Sequence, residues 1–398
     1  MRIGFDARPL LGARTGVGVW LEGLLGALAA STNWEFVGFL PRRADLSLGV
    51  VPPSRLAVSW PPLPLPGTFW LHTLAGSQVG TSVDVYLGTL AILPRRLKVP
   101  AVAVLHDLTP RTRSYRHTLA NRFCFNAYLE QSLLEAAAVV CVSQATRARL
   151  AEVLPAQART ASVIGHGVDP SFFTPPTLAR EETRRRFAAG APYIVQLGTL
   201  EPRKGVATLL AAHGIRLQQD AGGPDLVLAG GRGWGGRWLE EALARHPAPG
   251  RVHLPGYVTR DEARSLLAHA EMVVVASEEE GFGLPLAEAL ACGAACVASD
   301  APALVEVAGG AARHFPRANV QALAAAMEEV AIPARRAELQ VRARERARRW
   351  RWDAVVPAWR SLLAEVVTTW PGCSGGAPAF HEGREDRTTV LSGGPPRQ

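Results

Sequence analysis

Short apolar runs rich in β-branched residues alternate with longer helical segments along almost all of this 398-residue chain, and this alternation restricts the fold more than any other feature. Such a pattern is typical of parallel α/β sheets and argues against sandwiches and helix bundles. The strands predicted in the first half are Arg2–Phe5, Phe36–Leu40, Val83–Leu87, Ala101–Leu105, Val139–Val142 and Ser162–Ile164. The helices predicted there are Gly18–Ala30, Asn121–Ala137 and Ala145–Leu150.

A second set of strands follows a proline-bearing break at 167–176, which suits a connection between domains. These strands are Tyr193–Leu197, Leu226–Ala229, Val252–Leu254, Met272–Ala276 and Cys296–Ala298. We therefore predict an α/β fold with two Rossmann-like, doubly wound parallel-sheet domains. Ligands of such sheets bind beyond the carboxyl ends of the strands, so the expected site is a cleft between the two domains.

The composition is that of an ordinary soluble globular protein, with 48% hydrophobic and 20% charged residues. No apolar stretch is long enough to cross a bilayer, and the N-terminus lacks the pattern of a signal peptide, so we predict a cytoplasmic location. Five cysteines with a single C-x3-C spacing indicate neither a disulfide framework nor a zinc site.

The net charge of +8 comes almost wholly from arginine, because Lys98 and Lys204 are the only lysines. Such an excess favours anionic partners, which include a nucleotide diphosphate, an anionic membrane surface and a nucleic acid. The densest basic run, Arg335 to Arg351, is interpreted as a solvated helix face, with peripheral contact at the inner membrane face as the alternative. We do not expect a nucleic-acid partner.

Glu280 and Glu288 lie eight positions apart around a Gly-Phe-Gly-Leu-Pro turn, between a predicted buried strand and a predicted helix, Leu284 to Ala291. This arrangement aims free backbone N–H groups and the positive end of the helix dipole at the space above the strand, where a diphosphate would fit. A carboxylate can accept from two neighbouring hydroxyls, as on a ribose or a hexose. The alternative is a solvated acidic loop beside an ordinary surface glutamate.

Arg203 and Lys204 follow the first predicted strand of the second half and precede a helix, which is where a doubly wound domain places its phosphate contacts. Fixed cations at such a place stabilise the negative charge that grows on a leaving diphosphate. Exposed loop charges are the alternative. The position after the strand and the scarcity of lysine elsewhere favour a functional role.

Gly16 and Gly18 lie in a turn between the first strand and the first helix. Their spacing does not match the dinucleotide fingerprint G-x-G-x-x-G, which would need glycine at Leu21. They would still let the backbone approach a diphosphate or an acceptor. His106, with Asp107 beside it, closes a predicted strand and is expected to face the cleft, with a purely structural hydrogen-bonding role as the alternative.

These segments together resemble the large family of retaining glycosyltransferases that includes bacterial mannosyl- and glucosyltransferases of cell-surface polysaccharide assembly, glycosyltransferase family 4, with the two-domain GT-B fold. The resemblance covers most of the chain, to about residue 366. The segments that carry it are 2–8, 16–18, 104–108, 142–146, 163–170, 197–205, 226–235, 254–258 and 280–288.

The resemblance implies a hexosyltransferase of polysaccharide biosynthesis that takes a hexose, with mannose favoured, from a nucleotide diphosphate sugar. The acceptor is expected to be a glycan or a lipid-linked glycan, and the anomeric configuration is expected to be retained. No Asp-x-Asp pair occurs in the sequence, and cationic side chains can replace the metal that such a pair holds in other sugar transferases. We therefore expect neither a metal nor a cofactor.

The resemblance also implies roles for individual residues. Glu288 would hold the ribose, Glu280 the donor hexose, and Arg203 with Lys204 the diphosphate. No protein nucleophile is expected, because the leaving phosphate helps to deprotonate the acceptor. The other residues expected to contact the donor are Gly16, Gly18, Tyr257, Val258, Gly281, Phe282, Gly283 and Leu284.

Five segments are expected from the same resemblance. They are an acceptor-side domain (1–171), a linker (172–183), a donor-binding domain (184–345), a helix that returns to the first domain (346–367) and a disordered tail (368–398). The proline-rich run from Trp60 to Trp70 is interpreted either as a packed loop or as an apolar lip that receives a lipid-linked acceptor.

Three departures from the family pattern stand out. His166 replaces the asparagine that many relatives carry, Cys296 lies where valine is common, and Thr199 replaces an arginine, which leaves Arg203 to compensate. A nucleotide-sugar epimerase and a catalytically silent sugar-nucleotide binding protein remain as alternatives. A dehydrogenase is less favoured, because no dinucleotide fingerprint follows the first strand.

Overall fold

Two parallel sheets form the framework of the computed structural model, which describes residues 1–12, 14–46, 48–108, 128–233 and 237–371. The first sheet has seven strands in the order β3-β2-β1-β4-β5-β6-β7, and the second has six in the order β10-β9-β8-β11-β12-β13. In both sheets the chain starts near the middle and winds out to each edge. The predicted pair of doubly wound α/β domains is confirmed.

The strands of the first sheet are β1 (Arg2–Asp6), β2 (Glu35–Phe39), β3 (Leu56–Ser59), β4 (Val85–Gly88), β5 (Ala101–Leu105), β6 (Ala138–Cys141) and β7 (Ser162–Val163). The strands of the second sheet are β8 (Tyr193–Leu197), β9 (Asp225–Ala229), β10 (Val252–Gly256), β11 (Met272–Val275), β12 (Cys296–Ser299) and β13 (Ala312–Phe315).

Helices connect these strands. The α-helices of the first half are Gly16–Ser31, Gly67–Thr73, Ala75–Val79, 128–135, Gln144–Val153 and Pro155–Thr160. Those of the second half are Arg180–Phe187, Val206–Gln219, Trp238–Ala244, Arg260–His269, Leu284–Ala291, Pro302–Ala308, Val320–Ala331, Pro333–Ala347 and Trp352–Thr369. Short 3-10 turns occur at Arg8–Leu10, Pro53–Arg55, Pro170–Phe173, Pro202–Lys204, Pro249–Arg251 and Arg348–Trp350.

Burial explains why the central strands are so apolar. Every residue of β5 and of β11 is buried, because helices cover both faces of each sheet. Two edge strands, β3 and β13, were not predicted from the sequence. β13 contains Arg313 and His314, so it has no apolar run, and β3 is short and half-exposed.

Other predictions differ from the structure at their ends. Of the helix predicted at Asn121–Ala137, residues 128–135 are helical, and 121–127 lie outside the described residues. The helix Arg180–Phe187 begins inside the predicted linker and runs past its end. The last helix continues to Thr369, and the predicted tail beyond 371 lies outside the described residues.

The basic run and three of the five cysteines lie within the described residues. The basic run forms most of the helix Pro333–Ala347, where Arg335 and Arg342 both form ion pairs with Glu338. Cys141, Cys292 and Cys296 are free thiols, whereas the remaining two cysteines lie outside the described residues.

The C-terminal helix Trp352–Thr369 packs on the first domain, against the first helix and strands β4 and β5. The Trp352 ring lies so close to Gly167 and Gly23 that a Cβ atom at either glycine would approach it within 2.2 Å and 2.6 Å. Beside this contact the Val168 amide donates to the Trp350 carbonyl at 2.6 Å, so the chain segments before and after the second domain lie side by side.

The Gly167→Ala substitution is expected to destabilise the protein by about 1–3 kcal/mol, because the added methyl group forces the Trp352 ring out of its site. Urea denaturation measures this change. Gly250→Ala is the matched control, since nothing lies within 4 Å of the position of its added methyl group. Equal stability of the two variants would show that the Trp352 contact does not anchor the helix.

Candidate active site

A turn that carries Glu280 connects β11 to the helix Leu284–Ala291, which carries Glu288. This helix has the predicted bounds and is called the E-x7-E helix below. Gly283 is its N-cap, with a φ of 95° that favours glycine. The N–H groups of Phe282, Gly283 and Leu284 donate to no other described residue. They are therefore available to an anion at the positive end of the helix.

Glu280 lies beside two positively charged side chains. Its Oε1 accepts hydrogen bonds from Lys204 Nζ at 2.6 Å and from Ser277 Oγ at 2.7 Å, and its Oε2 lies 3.7 Å from Arg203 Nη1. Burial by itself raises the pKa of Glu280, but the charges of Lys204 and Arg203 outweigh burial and hold the pKa below its usual value. The carboxylate is therefore ionised at neutral pH.

A backbone hydrogen bond joins the two loops that carry this ion pair: the Glu278 amide donates to the Arg203 carbonyl at 2.9 Å. The Gln196 side chain on β8 supports the Lys204 loop, because its Nε2 donates to the Lys204 carbonyl at 3.1 Å. Gly205 has a φ of 66°, and a Cβ atom there would lie 2.0 Å from the Ala276 carbonyl oxygen. Only glycine allows this close approach of the β8 and β11 loops.

Glu288 is on the second turn of the E-x7-E helix and only 9% exposed. Burial raises its pKa to about 8, against the opposing effect of Arg260. Arg260 itself forms ion pairs with Asp169 at 2.8 Å and with Glu22 at 3.2 Å, so its charge is shared between these two carboxylates. In this structure Glu288 holds its proton at neutral pH.

His106 contacts the same loop from the first domain. A Cβ atom at Gly281 would lie 1.6 Å from the His106 carbonyl oxygen, so only glycine fits there. The His106 ring bonds the Thr89 carbonyl through Nε2 at 3.1 Å and His166 through Nδ1 at 3.3 Å. Its edge packs against the Trp20 ring, with 4.6 Å between centroids, and burial lowers its pKa to about 4.

Further contacts between the domains converge on this loop. The Gly281 carbonyl accepts hydrogen bonds from Ser143 Oγ at 2.5 Å and Thr146 Oγ1 at 3.0 Å. The Glu306 carboxylate of the second domain accepts from the amides of Gln144 and Ala145, at the start of a first-domain helix, at 2.9 and 3.0 Å. A carboxylate at a helix N-terminus is stabilising.

The remaining predicted donor contacts are spread more widely. Gly16 begins the first helix with open space around it, whereas a Cβ atom at Gly18 would meet the Pro9 carbonyl at 2.4 Å. Gly18 therefore serves a close backbone contact. Tyr257 is 65% exposed, and Val258 is buried.

The structure brings Arg203, Lys204, Glu280, Gly281 and His106 into one contact network at the ends of β8, β11 and β5. Sequence analysis missed the partners supplied by distant segments, namely Glu306, Arg260 and the ring contact of His166. For His166 the departure from the family pattern was the available signal.

The described residues contain neither a metal-binding cluster nor a membrane-spanning helix. Within these ranges no group of three or more His, Cys, Asp or Glu side chains is arranged to hold a metal ion. No helix in the described part of the chain has both the length and the apolarity needed to cross a bilayer.

Comparison with known proteins identifies the class. The family described as "Glycosyl transferases group 1" matches residues 179–350, and "Glycosyltransferase Family 4" matches residues 15–172. The fold is that of a crystal structure of Anabaena Alr3699/HepE in complex with UDP-glucose, with a TM-score of 0.74 and 19% identity over 92% of this chain and 100% of that one. The chain belongs to the GT-B glycosyltransferases of this group 1, family 4 type.

Sequence relatives include O-antigen chain mannosyltransferase B from Escherichia coli, which is 30% identical over 247 residues, 61% of this chain and 63% of the relative. The MMP alpha-(1->4)-mannosyltransferase from Mycolicibacterium hassiacum is 28% identical over 352 residues, 83% of this chain and 81% of the relative. Against the serotype-specific mannosyltransferase WbdA of Escherichia coli, the match spans only 29% of the relative.

The Glu288→Gln substitution is expected to reduce the pH dependence of stability. Folded Glu288 keeps its proton up to about pH 8, whereas an unfolded glutamate loses it near pH 4.3. Between these values the folded state binds the extra proton, so the free energy of unfolding contributed by this group falls by up to about 1.4 kcal/mol per pH unit as pH rises.

Urea denaturation of both proteins from pH 5 to 9 measures this slope. Glutamine does not titrate, so the variant should gain stability relative to the wild type as pH rises. Glu130→Gln, on an exposed position of the helix 128–135, serves as the control and should leave the slope unchanged. Parallel curves for wild type and Glu288→Gln would show that Glu288 titrates normally.

Proposed function

We propose that the protein is a retaining, metal-independent hexosyltransferase that moves a hexose, with mannose favoured, from a nucleotide diphosphate sugar to a glycan or lipid-linked acceptor. The observation that carries the proposal is the buried Lys204–Glu280 pair beside the free N–H groups of the E-x7-E helix. A cation, an acid and a row of N–H donors at one strand end match the charges and hydroxyls of such a donor.

The diphosphate is the part of the donor best matched to this chemistry. Arg203 and Lys204 lie at the end of β8, close to the start of the E-x7-E helix, so both can face the leaving group. Charge accumulates on the diphosphate as the sugar departs, and preorganised cations and N–H groups stabilise it without a metal ion. In the donor complex Oε2 of Glu280, which lies 3.7 Å from Arg203 Nη1, can accept from a hydroxyl of the hexose while Oε1 keeps its bond to Lys204.

Glu288 suits the ribose. Its position on the second turn of the helix places it farther along the donor than Glu280, and its protonated carboxyl group can accept from one ribose hydroxyl and donate to the other. Tyr257 and Val258, which follow β10, are assigned to the base.

Retention is proposed without a protein nucleophile. Oε1 of Glu280 already accepts from Lys204 and Ser277, which supports a binding role for this carboxylate. In the proposed step the bond from the sugar to the diphosphate breaks, the acceptor oxygen bonds the same face of the sugar, and the leaving phosphate takes the acceptor proton.

The acceptor is proposed from the relatives and from one surface. The relative named O-antigen chain mannosyltransferase B supports a glycan acceptor. In the run from Trp60 to Trp70, Trp70 is fully buried, whereas Leu63 and Phe69 are 73% and 57% exposed. The run thus combines both interpretations, and its exposed side chains support a lipid-linked acceptor with peripheral contact at the inner membrane face.

Lys204→Ala and Glu288→Ala are each expected to lower kcat/KM for the donor by about tenfold or more, the scale of one charged hydrogen bond lost at Lys204 or of two neutral ones lost at Glu288. Initial rates of nucleotide diphosphate release measure the effect. Lys98→Ala is the matched control, because it removes the other lysine of the chain from an exposed position. Unchanged kinetics in both active-site variants would contradict the proposal.

The same assay separates the alternatives. A nucleotide-sugar epimerase would convert the donor without any acceptor, and the products are distinguished by chromatography. A silent binding protein would bind the donor but release no diphosphate under any condition.

A panel of sugar nucleotides tests the donor assignment. GDP-mannose is expected to raise the melting temperature more than UDP-glucose does at equal concentration, because the donor that binds more tightly stabilises the folded protein more. A ligand at about 100 times its Kd adds about 2.7 kcal/mol of stability. Mannose is favoured by the names of the relatives, whereas the structural neighbour binds UDP-glucose. A larger shift with UDP-glucose would reverse the assignment.

A further inference from the structure

His166 lies in the interface between the domains, next to the proposed donor site. It is 6% exposed, and its ring packs between two aromatic groups, Trp20 at 5.7 Å and Phe282 at 4.7 Å between centroids. Phe282 belongs to the turn between Glu280 and Glu288, and Trp20 belongs to the first helix. His166 therefore contacts both sides of the cleft through its ring faces.

The hydrogen bonds of the two histidines fix their tautomers. A carbonyl oxygen only accepts, so the bond to Thr89 requires a proton on Nε2 of His106. Nδ1 of the neutral His106 ring must then accept, and the only partner it has among the described residues is Nε2 of His166. The proton of His166 is thus on Nε2, and its Nδ1 carries a lone pair.

Nδ1 of His166 is buried and has no hydrogen-bond partner in the described structure. An unpaired buried acceptor destabilises the fold, so a histidine at this position has a cost that an apolar ring would avoid. Burial lowers the pKa of His166 well below its usual value and that of His106 to about 4, so both rings remain neutral near pH 7.

We propose that His166 is a positioning residue for hexose transfer: it donates from Nε2 to Nδ1 of His106 and fixes the orientation of that ring, whose tautomer the Thr89 carbonyl sets. The inference rests on the proposed function for its catalytic consequence. The His106 carbonyl touches Gly281, and the His166 ring touches Phe282, so the pair fixes His106 relative to the donor loop from two directions. A tilted His106 would displace the donor loop, which carries Glu280, relative to the transferred sugar.

The test compares His166→Phe, which keeps an aromatic ring between Trp20 and Phe282 but has no donor, with His166→Gln, whose amide nitrogen can replace Nε2. Ring-nitrogen NMR of the full-length, ¹⁵N-histidine-labelled protein reports the His106 tautomer without any substrate. We expect the Nε2–H tautomer in all three proteins, because the Thr89 carbonyl requires it, and a changed Nδ1 chemical shift of His106 in the phenylalanine variant alone, because only that variant lacks a donor to Nδ1.

Kinetics supply the second measurement. His166→Phe is expected to lower kcat about tenfold with less than threefold change in the donor KM, and His166→Gln to restore most of the rate. Combining His166→Phe with His106→Phe should cost no more than His106→Phe alone, because the effect passes through His106.

Several results would overturn the inference. A wild-type His106 protonated on Nδ1 does so at once, even if His166→Phe fails to fold. Full activity of His166→Phe, or a loss that the glutamine variant does not restore, also does so. A wild-type protein that shows the expected ring signals but transfers no hexose from any donor instead overturns the proposed function.

Discussion

The buried ion pair between Lys204 and Glu280 fixes the geometry of the whole site. Each charge alone would be costly to remove from water, and each makes the other tolerable. The pair connects the loops after β8 and β11, which are neighbours in the sheet, and Gly205 lets these loops touch. The start of the E-x7-E helix, with its free N–H groups, therefore lies beside two cations, and this arrangement is the basis of the proposed diphosphate site.

The contact between the domains depends on polar groups that pair only in one relative orientation of the two domains. The Gly281 carbonyl is bonded by two hydroxyls of the first domain, and Glu306 caps a helix that belongs to the other domain. Hydrogen bonds of this kind specify a relative orientation more narrowly than apolar contact does, because geometry as well as distance must be satisfied. These hydrogen bonds therefore hold the loop that carries Glu280 in a defined position relative to the first domain.

Elements that local sequence features mark were predicted well, whereas contacts between distant segments were not. The E-x7-E helix was predicted with its observed ends, because Gly283 and an apolar run mark it locally. β13 was missed because its strand conformation comes from pairing with β12, while its own residues include Arg313 and His314. The Lys204–Glu280 bond spans 76 positions, and no spacing rule in the sequence predicts such a contact.

The chain passes between the two domains twice, once before the second domain and once after it, and the Val168–Trp350 hydrogen bond joins the two crossings. Together they form a doubled connection between the domains, since the C-terminal helix is anchored on the first domain by Trp352. Two paired segments permit fewer relative movements of the domains than a single linker does.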